Sequence, residues 1–481
     1  MKIILYSLLS LVLLASCESF LQEDAKGVLT PENFFNNSGE LEGAITGLYR
    51  TAISNYLDGN FSSNLMGSDD LGTKFSPFQE MDVFVSNSES FYPGVFWADT
   101  YKTIFQCNNI ILHYEKTPVS DEIKQQAAGQ AYFFRAWSYF ALVRIFNEIP
   151  LMENVTVNYD IVKSGPADVY KLIVDDLKKA EEWLPASWND GKELVKVTQG
   201  SAKALLAEVY LAMAGYPLME TANYALAAAK AKDIIDSGRY KLETYEKLWS
   251  KDFSNDEVIF GLVFMNINKG SQLETCYLPN EYQGWGILYS ERKFFYDFPE
   301  GPRKNVTFET QFRTPGGPVN WTESKYFKNP FYRKMMASTQ IDILDPNSQP
   351  WNHSFWQFDK LFMYIRYAHV LLTYAEAKAM SSGVDGSAYD AVNEIRGRAG
   401  LPDLPSGLSV TAFRDAVFDE RGWEFAGEFT RWFDLVRLER VEQIAANRDP
   451  NDNAIPALPT KKNYFQEIPA NEVRLNPNLN Q

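Results

Sequence analysis

The stretch ERGWEFAGEFTRWFDLVR, residues 420 to 437, mixes charged side chains with large apolar ones. Arg431, Asp434 and Arg437 follow one another at intervals of three residues. Residues at that spacing are neighbours on the surface of a helix, so opposite charges there can pair. We therefore expect these charges to hold helices together rather than to bind a ligand, and the stretch indicates a packed helical scaffold.

The same helical character extends over most of the chain. Residues 359–380 carry one continuous apolar stripe of the kind that a helix buries on one face. Residues 198–240 predict a helical hairpin, because Gly and Pro separate two periodic segments. The periodicity predicts a mainly all-α fold, with a helical scaffold at about 30–240 and about 361–448.

The paired helices of the scaffold suggest a structural repeat. Ala136 and Tyr139 have the same spacing as Ala207 and Tyr210, which follow 71 residues later. That interval is about two tetratricopeptide periods of 34 residues plus a loop, so we predict tetratricopeptide-like helical hairpins. Residues from about 250 to 360 are instead rich in Gly, Pro, Asn and aromatics, which predicts a loop-rich insertion containing short strands.

Composition narrows the classes of ligand. The 481-residue chain has a formal net charge of −16, which argues against nucleic acid as a partner, because phosphates require a basic face. Aromatic residues make up 15% of the chain, and Trp and Tyr rings outside the core are flat platforms on which sugar rings can stack. Cys107 and Cys276 fit either a disulfide or two buried thiols in an exported chain.

The N-terminal segment predicts export and a lipid anchor. LVLLASCESF, residues 11–20, ends an apolar run that is too short to span a bilayer, which needs about 20 apolar residues. The small residues immediately before Cys17 resemble a bacterial lipobox, in which the cysteine is acylated after cleavage. We therefore predict a lipoprotein signal peptide at 1–16 and a mature chain at 17–481, held to a membrane only through lipid on Cys17.

The sequence offers little that resembles a catalytic or cofactor site. Its three histidines have no zinc-like spacing, and dinucleotide, Walker and nucleophile-elbow motifs are absent. Residues 449–460 imitate a calcium loop but have Ala454 and Thr460 where that loop needs Gly and Glu. We expect no cofactor, no metal and no catalytic residue. A helical glycosidase stays an alternative, because a sequence does not reveal two facing carboxyl groups.

Four longer stretches resemble motifs of a known family. They are RAWSYFALVRIFNEIPL (135–151), IRYAHVLLTYAEA (365–377), NEIRGRAGLP (393–402) and ERGWEFAGEFTRWFDLVR (420–437). With the TPENFF start at 30–35, the EIPANEVRLNP tail at 467–477 and the lipobox, they are similar to the SusD/RagB family of outer-membrane lipoproteins of the Bacteroidetes. The resemblance covers nearly the whole mature chain, and it implies a tetratricopeptide-like scaffold that carries a variable insertion.

Three positions in these stretches depart from the family's pattern. Asn147 stands where the family usually has Gly, and His369 where it usually has Glu. Phe429 stands where a Gly commonly follows the glutamate. All three belong to the scaffold, so we expect local turns there to differ from those of the family.

The resemblance implies a cell-surface lipoprotein that captures oligosaccharide. It also implies a partner, a TonB-dependent outer-membrane transporter of the SusC type, to which the ligand is passed. Acidic residues after Cys17 resemble the family's surface-export signals, so we expect the protein on the extracellular side of the outer membrane. Peptide binding within the same family is an alternative, as is the glycosidase named above.

Ligand residues are expected on variable loops rather than in the family motifs. The candidates are Trp285, Trp321, Tyr282, Tyr289, Trp97 and Asp70. Trp285 and its two tyrosine neighbours lie in NEYQGWGILYS, among glycines, where we expect partly exposed rings. Trp321 follows a Gly-Gly-Pro turn, while Trp97 and Asp70 are implied by where relatives of the family hold ligand.

Overall fold

The computed structural model describes most of the chain. The described residues are 34–57, 60–156, 158–188, 195–250, 253–264, 273–353 and 358–480. Cys17 and the signal peptide lie outside these ranges, so the lipid anchor stays a prediction.

Long helices that pack on one another in chain order form the first part of the scaffold. They are α1 (Ser38–Leu57), α2 (Phe91–His113), α3 (Asp121–Phe146), α4 (Pro166–Trp183), α5 (Gln199–Met213) and α6 (Asn223–Asp236). Each contacts the next. Thr198 caps α5 by accepting the Ser201 N–H at 3.2 Å, and α4 begins at a proline, which is favoured at the first helical position. Buried residues surround most of α3, which makes it the central helix.

A second set of helices completes this scaffold after a long interruption. They are α7 (Tyr367–Ser382), α8 (Gly386–Arg398), α9 (Val410–Glu424) and α10 (Arg431–Arg437). Helix α7 packs on α5 and α6 from the first part of the scaffold and on α8 and α9 from the second. Two separated parts of the chain therefore share one core, and the predicted mainly all-α fold is confirmed.

Short strands lie between the two parts of the scaffold and at their border. They are β1 (Val258–Phe264), β2 (Phe308–Glu309), β3 (Gln311–Phe312), β4 (Val319–Asn320), β5 (Phe331–Tyr332) and β6 (Lys360–Arg366). β1 pairs with β6, β2 with β5 and β3 with β4, all antiparallel. The β1–β6 pair closes the base of the insertion, since β1 contacts α5 and β6 leads directly into α7.

Short helices occur in the loops and in the C-terminal tail. The α-helical ones are Asn60–Ser63, Ser76–Asp82, Tyr245–Leu248, Leu273–Tyr277, Arg292–Asp297, Pro302–Thr307, Val441–Ala446 and Ala470–Leu475. The 3₁₀ turns are Tyr114–Lys116, Asn280–Tyr282, Trp321–Glu323, Arg333–Met336, Lys461–Tyr464 and Pro477–Asn480. Among all helices of the described ranges, none combines the length and apolarity needed to cross a bilayer.

The predicted start of the second scaffold part at 361 is wrong, because residues 360–366 form a strand. Their sequence, KLFMYIR, is rich in aromatic and β-branched residues, and Val258 pairs with Arg366 across the ladder. Apolar residues on both faces of this strand are buried, so the run imitates a helical stripe. The helix begins only at Tyr367, after the Arg366 N–H donates to His369 Nδ1 at 3.2 Å.

A buried group of charges joins the insertion to the scaffold, and we call it the charge hub. Arg366 pairs with Glu257, Glu424 and Glu428, with N···O distances of 2.7, 2.7 and 2.9 Å. Glu424 also pairs with Arg398 at 2.6 Å. Burial alone would raise the pKa of Glu424, but the guanidinium groups around it, Arg398 first, hold that pKa well below its usual range. The hub is thus a fully paired ionic cluster in the core.

The charges at 431–437 join helices, as predicted. Arg437 pairs with Glu376 of α7. Asp434 accepts from Arg437 and from Arg421 of α9, both at 2.8 Å. Arg431 reaches an aspartate in an N-terminal loop at 2.8 Å. These side chains are buried in ion pairs between elements of the scaffold.

Candidate functional site

The candidate site begins where an N-terminal loop meets the insertion. The Gly72 N–H donates to the Tyr289 carbonyl at 2.8 Å, and the Tyr289 N–H donates to the Gly72 carbonyl at 3.2 Å. A Cβ at position 72 would lie 2.8 Å from the Tyr289 ring, so this approach requires glycine. The loop at 68–75 and the insertion therefore meet without a gap.

Asp70 holds this loop from the inside. Its buried carboxyl accepts hydrogen bonds from Ser68 Oγ at 2.6 Å and from the Gly427 N–H at 2.9 Å. The Tyr332 hydroxyl donates to the backbone carbonyl of Asp70. Burial raises the pKa of Asp70 to about 6, although the hydrogen bond from Ser68 lowers it. The carboxyl is fully buried, so it positions the loop and presents no surface to solvent.

A C-terminal loop closes another side of this junction. Asn453 Nδ2 donates to the Thr73 carbonyl at 2.5 Å, and Lys74 Nζ donates to Asn453 Oδ1 at 2.8 Å. The neighbouring Asp452 accepts from the Arg292 backbone N–H at 2.9 Å. These polar side chains of the calcium-like stretch therefore bind protein groups.

Exposed aromatic rings lie on the insertion segments that follow this junction. Tyr296 is 57% exposed, and its ring centroid lies 6.3 Å from that of Trp321. Tyr326 is 60% exposed and Trp285 is 37% exposed. We call these three exposed residues, together with the largely buried Trp321 beside Tyr296, the aromatic group. Their rings provide flat apolar surface, and the polar groups of the same loops can bond sugar hydroxyls.

Hydrogen bonds join the two segments that carry the aromatic group. Ser324 Oγ donates to Glu281 at 2.6 Å, and the Tyr326 N–H donates to Ser324 Oγ at 3.1 Å. Arg292 Nε donates to the Lys328 carbonyl at 3.0 Å. Residues 281–296 and 320–328 are thus fixed to each other, so the rings need little reordering when a ligand binds.

The expected partial exposure is correct for Trp285 and wrong for three other candidates. Tyr282 is fully buried, and its hydroxyl donates to Glu309 at 3.0 Å. Tyr289 is buried beneath neighbouring rings of the insertion. Trp321 is only 7% exposed, because two adjacent rings pack against it. The aromatic residues of the insertion build a small core of their own, which sequence spacing does not reveal.

Trp97 lies in a different place, in a groove of about 800 Å³ between α1, α2 and the C-terminal tail. Its buried ring packs on Phe146 and Tyr101, each at a centroid distance of 4.9 Å. Tyr159, which is 68% exposed, and Leu475 line the same groove. The groove is a second place for a ligand, and a variant at Tyr159 distinguishes it from the aromatic group.

Sequence reasoning missed the two most exposed rings of the aromatic group. Tyr296 precedes Asp297 and Tyr326 follows Lys325, but Tyr282 also follows a charged residue and is fully buried. A charged neighbour therefore does not separate the exposed rings from the buried ones. The sequence carries no local signal that singles out Tyr296 and Tyr326.

The described residues contain no group of three or more His, Cys, Asp or Glu side chains placed to hold a metal ion. Cys107 and Cys276 are both buried thiols that form no disulfide, which decides between the two states that the sequence allowed. Burial raises the pKa of the Cys107 thiol, so that group stays protonated and unreactive.

Comparison with known proteins identifies the family to which the chain is similar in sequence. Residues 267–481 match the sequence profile of the SusD family, and residues 24–211 match a family described as starch-binding and associating with the outer membrane. The chain belongs to the SusD family. SusD-like protein P2 of Formosa agariphila is 26% identical over 517 residues, which cover 98% of this chain and 96% of that protein.

Solved structures of the SusD family share this fold. A SusD homolog from Bacteroides thetaiotaomicron has a TM-score of 0.79 and 23% identity, covering 94% of this chain and 98% of that one. Surface glycan-binding protein A from the same organism, in complex with laminarihexaose, has a TM-score of 0.75 and 19% identity. It covers 91% of this chain and 98% of that one.

Proposed function

We propose that this SusD-family chain is a cell-surface lipoprotein that binds an oligosaccharide through the aromatic group. The observation that carries the proposal is the exposure of Tyr296 and Tyr326, each more than half exposed, together with Trp285 on loops outside the helical scaffold. Exposed rings of this kind supply amphipathic surface on which a sugar ring can stack. The fixed loops beneath them lower the entropy lost on binding.

The comparisons support a glycan as the class of ligand. One structural neighbour holds laminarihexaose, and one matching family is described as starch-binding. The acidic chain, with a formal charge of −16, also fits a neutral ligand better than a phosphate-rich one.

We further propose that the glycan passes to a TonB-dependent transporter of the SusC type in the outer membrane. Lipid on Cys17 tethers the protein beside that transporter, and tethering raises the effective concentration of captured ligand. Tight binding is then unnecessary, so we expect dissociation constants of roughly micromolar to millimolar for the free ligand. Purification from native membranes without a co-purifying barrel of this type would count against the partner.

The proposal is one of binding without cleavage. Prolonged incubation of the protein with the glycan that it binds should release no shorter products. Products that disappear when a single carboxylate is changed to its amide would favour the helical glycosidase instead.

The decisive experiment removes exposed rings one at a time. We expect Trp285→Ala and Tyr296→Ala each to weaken glycan binding severalfold, because one aromatic contact contributes on the order of 1 kcal/mol. Laminarin and starch are suitable first probes, measured by isothermal titration calorimetry. The melting temperatures of both variants should stay close to that of the parent, since both side chains are exposed.

Tyr159→Ala is the matched control, because Tyr159 is also an exposed aromatic residue but lies on the groove that contains Trp97. It should bind glycan as the parent does. Normal binding by Trp285→Ala and Tyr296→Ala, with loss in Tyr159→Ala, would move the ligand site to the groove.

A further inference from the structure

A crevice in the helical scaffold, away from the insertion loops, carries polar groups that the protein itself does not satisfy. It lies between α3, α5, α7, α9 and α10. Its walls are largely apolar and include Phe140, Val143, Leu205 and Phe433. Its cavity volume is about 60 Å³, enough for roughly four to six water molecules.

Arg144 lines this crevice with an unusual set of contacts. Its guanidinium lies between two rings, with Cζ 3.6 Å from the centroid of Phe140 and 3.7 Å from that of Phe433. Nε donates to the Phe140 carbonyl at 3.0 Å, and Nη2 donates to the Tyr364 hydroxyl at 3.2 Å. Within the described ranges no carboxylate lies within 4.0 Å of this guanidinium. Stacking fixes the plane of the guanidinium, and within the described residues Nη1 makes no hydrogen bond, so it can donate to a ligand.

The carboxylates that line the crevice do not supply that partner, because each is held elsewhere. Glu208 accepts from the Thr373 hydroxyl at 2.7 Å. Asp434 is held by Arg421 and Arg437, and Glu428 by Arg366 and a buried lysine. Within the described residues, none of these carboxylates forms an ion pair with Arg144, although they line the same crevice.

His369 adds a second donor without an acceptor. It is 3% exposed and lines the crevice. Its Nδ1 accepts the Arg366 N–H, so the ring proton belongs on Nε2, and Nε2 has no hydrogen-bond partner. Burial, together with Arg366 and Arg421, lowers the pKa of His369 well below its usual value, so the ring is a neutral donor. A buried donor without an acceptor is costly, so an acceptor from outside is expected.

We propose that this crevice is a binding site for a small carboxylate with a short apolar body. The guanidinium of Arg144 and the Nε2–H of His369 supply the donors for the carboxylate, and the apolar walls accept the body. Asn147, His369 and Phe429, the three departures from the family pattern, all line this crevice. The site therefore combines a scaffold common to the family with residues particular to this chain. It is independent of the proposed glycan site.

Trifluoroacetate is the probe, followed by ¹⁹F NMR line broadening with the mature chain. We expect saturable broadening that propionate reverses and that sodium chloride at the same ionic strength does not. Arg144→Met keeps an unbranched apolar stem between the two rings and removes the donors, so it should weaken binding about tenfold or more. Arg239→Met, which removes an exposed arginine that does not line the crevice, is the matched control and should bind as the parent does.

Three results would overturn this site. One is broadening that chloride reverses as well as propionate does. A second is broadening that is unchanged in a folded Arg144→Met variant. The third needs no variant: a crystal structure of the unchanged protein grown in acetate, with only ordered water between Arg144 and His369. Acetate bound at Arg144 in those crystals, and absent from crystals grown in chloride, would support the proposal even if the variant failed to fold.

Discussion

Replacing Asp70 by Asn tests whether this carboxyl holds the N-terminal loop in place. In the folded chain burial raises its pKa to about 6, whereas its ordinary value is 3.8. The folded state thus keeps the proton to a higher pH than the unfolded state does. Stability contributed by the protonated carboxyl is complete at low pH and is lost as the pH rises through about 6. The difference of about two pKa units corresponds to roughly 2–3 kcal/mol between pH 4 and pH 7.

Asparagine can make the same contacts without a charge. Its Oδ1 can accept the Gly427 N–H, while its amide donates to Ser68 Oγ. The Ser68 proton can then turn to the Leu65 carbonyl, 3.0 Å away. We therefore expect Asp70→Asn to gain stability over the parent by roughly 2–3 kcal/mol as the pH rises from 4 to 7. Other buried acids titrate in both proteins and cancel in the comparison.

Urea unfolding of the mature chain at pH 4, 5, 6 and 7 measures this difference. Asp160→Asn, at an exposed carboxylate, is the matched control and should follow the parent closely. Parallel pH profiles for Asp70→Asn and the parent would refute the structural role argued here. Weaker glycan binding together with parallel profiles would instead identify Asp70 as a ligand residue.

Three further changes test the hub, the anchor and the loop junction. Arg366→Met leaves three buried carboxylates without one of their positive partners, so it should lower the free energy of unfolding in urea by about 3–5 kcal/mol. Lys171→Met removes an exposed ion pair and should lower it by less than about 0.5 kcal/mol. Cys17→Ala should abolish acyl labelling and release the protein from membrane fractions; continued acylation would contradict the lipobox. Gly72→Ala places a methyl group against the Tyr289 ring, so it should destabilise the fold by about 1–3 kcal/mol in the same unfolding assay. At Gly386 the added methyl group meets open space, so Gly386→Ala should leave the stability unchanged.

The helical scaffold could be predicted because its signals are local. Helical periodicity located α3 and the α5–α6 hairpin, and spacing alone predicted that Arg431, Asp434 and Arg437 join helices. The strand at 360–366 was missed, because a run buried on both faces has the same apolar density as a helix. Only its pairing with β1, about a hundred residues earlier, makes it a strand.

The candidate site was less predictable, because exposure depends on contacts between distant loops. Trp285 was placed correctly among glycines, but Tyr282 and Tyr289 are buried by residues that follow them in the insertion. Asp70 is buried by a backbone amide more than 350 residues away, at Gly427. The local sequence GSDDLG does not predict a contact with so distant a residue. Its polar composition is typical of an exposed loop, although Asp70 is buried.

The charge hub explains how loops that carry the proposed ligand residues can differ without disturbing the helices. Glu424 lies at the end of α9, where it binds Arg398 at the end of α8 and Arg366 at the end of β6. It also binds Arg303, which belongs to the insertion, at 3.1 Å. Each of these bonds lies at the base of the insertion, whereas Tyr296 and Tyr326 project from its surface. A change at those rings therefore leaves every partner of Glu424 in place, so ligand preference and folding stability can vary separately.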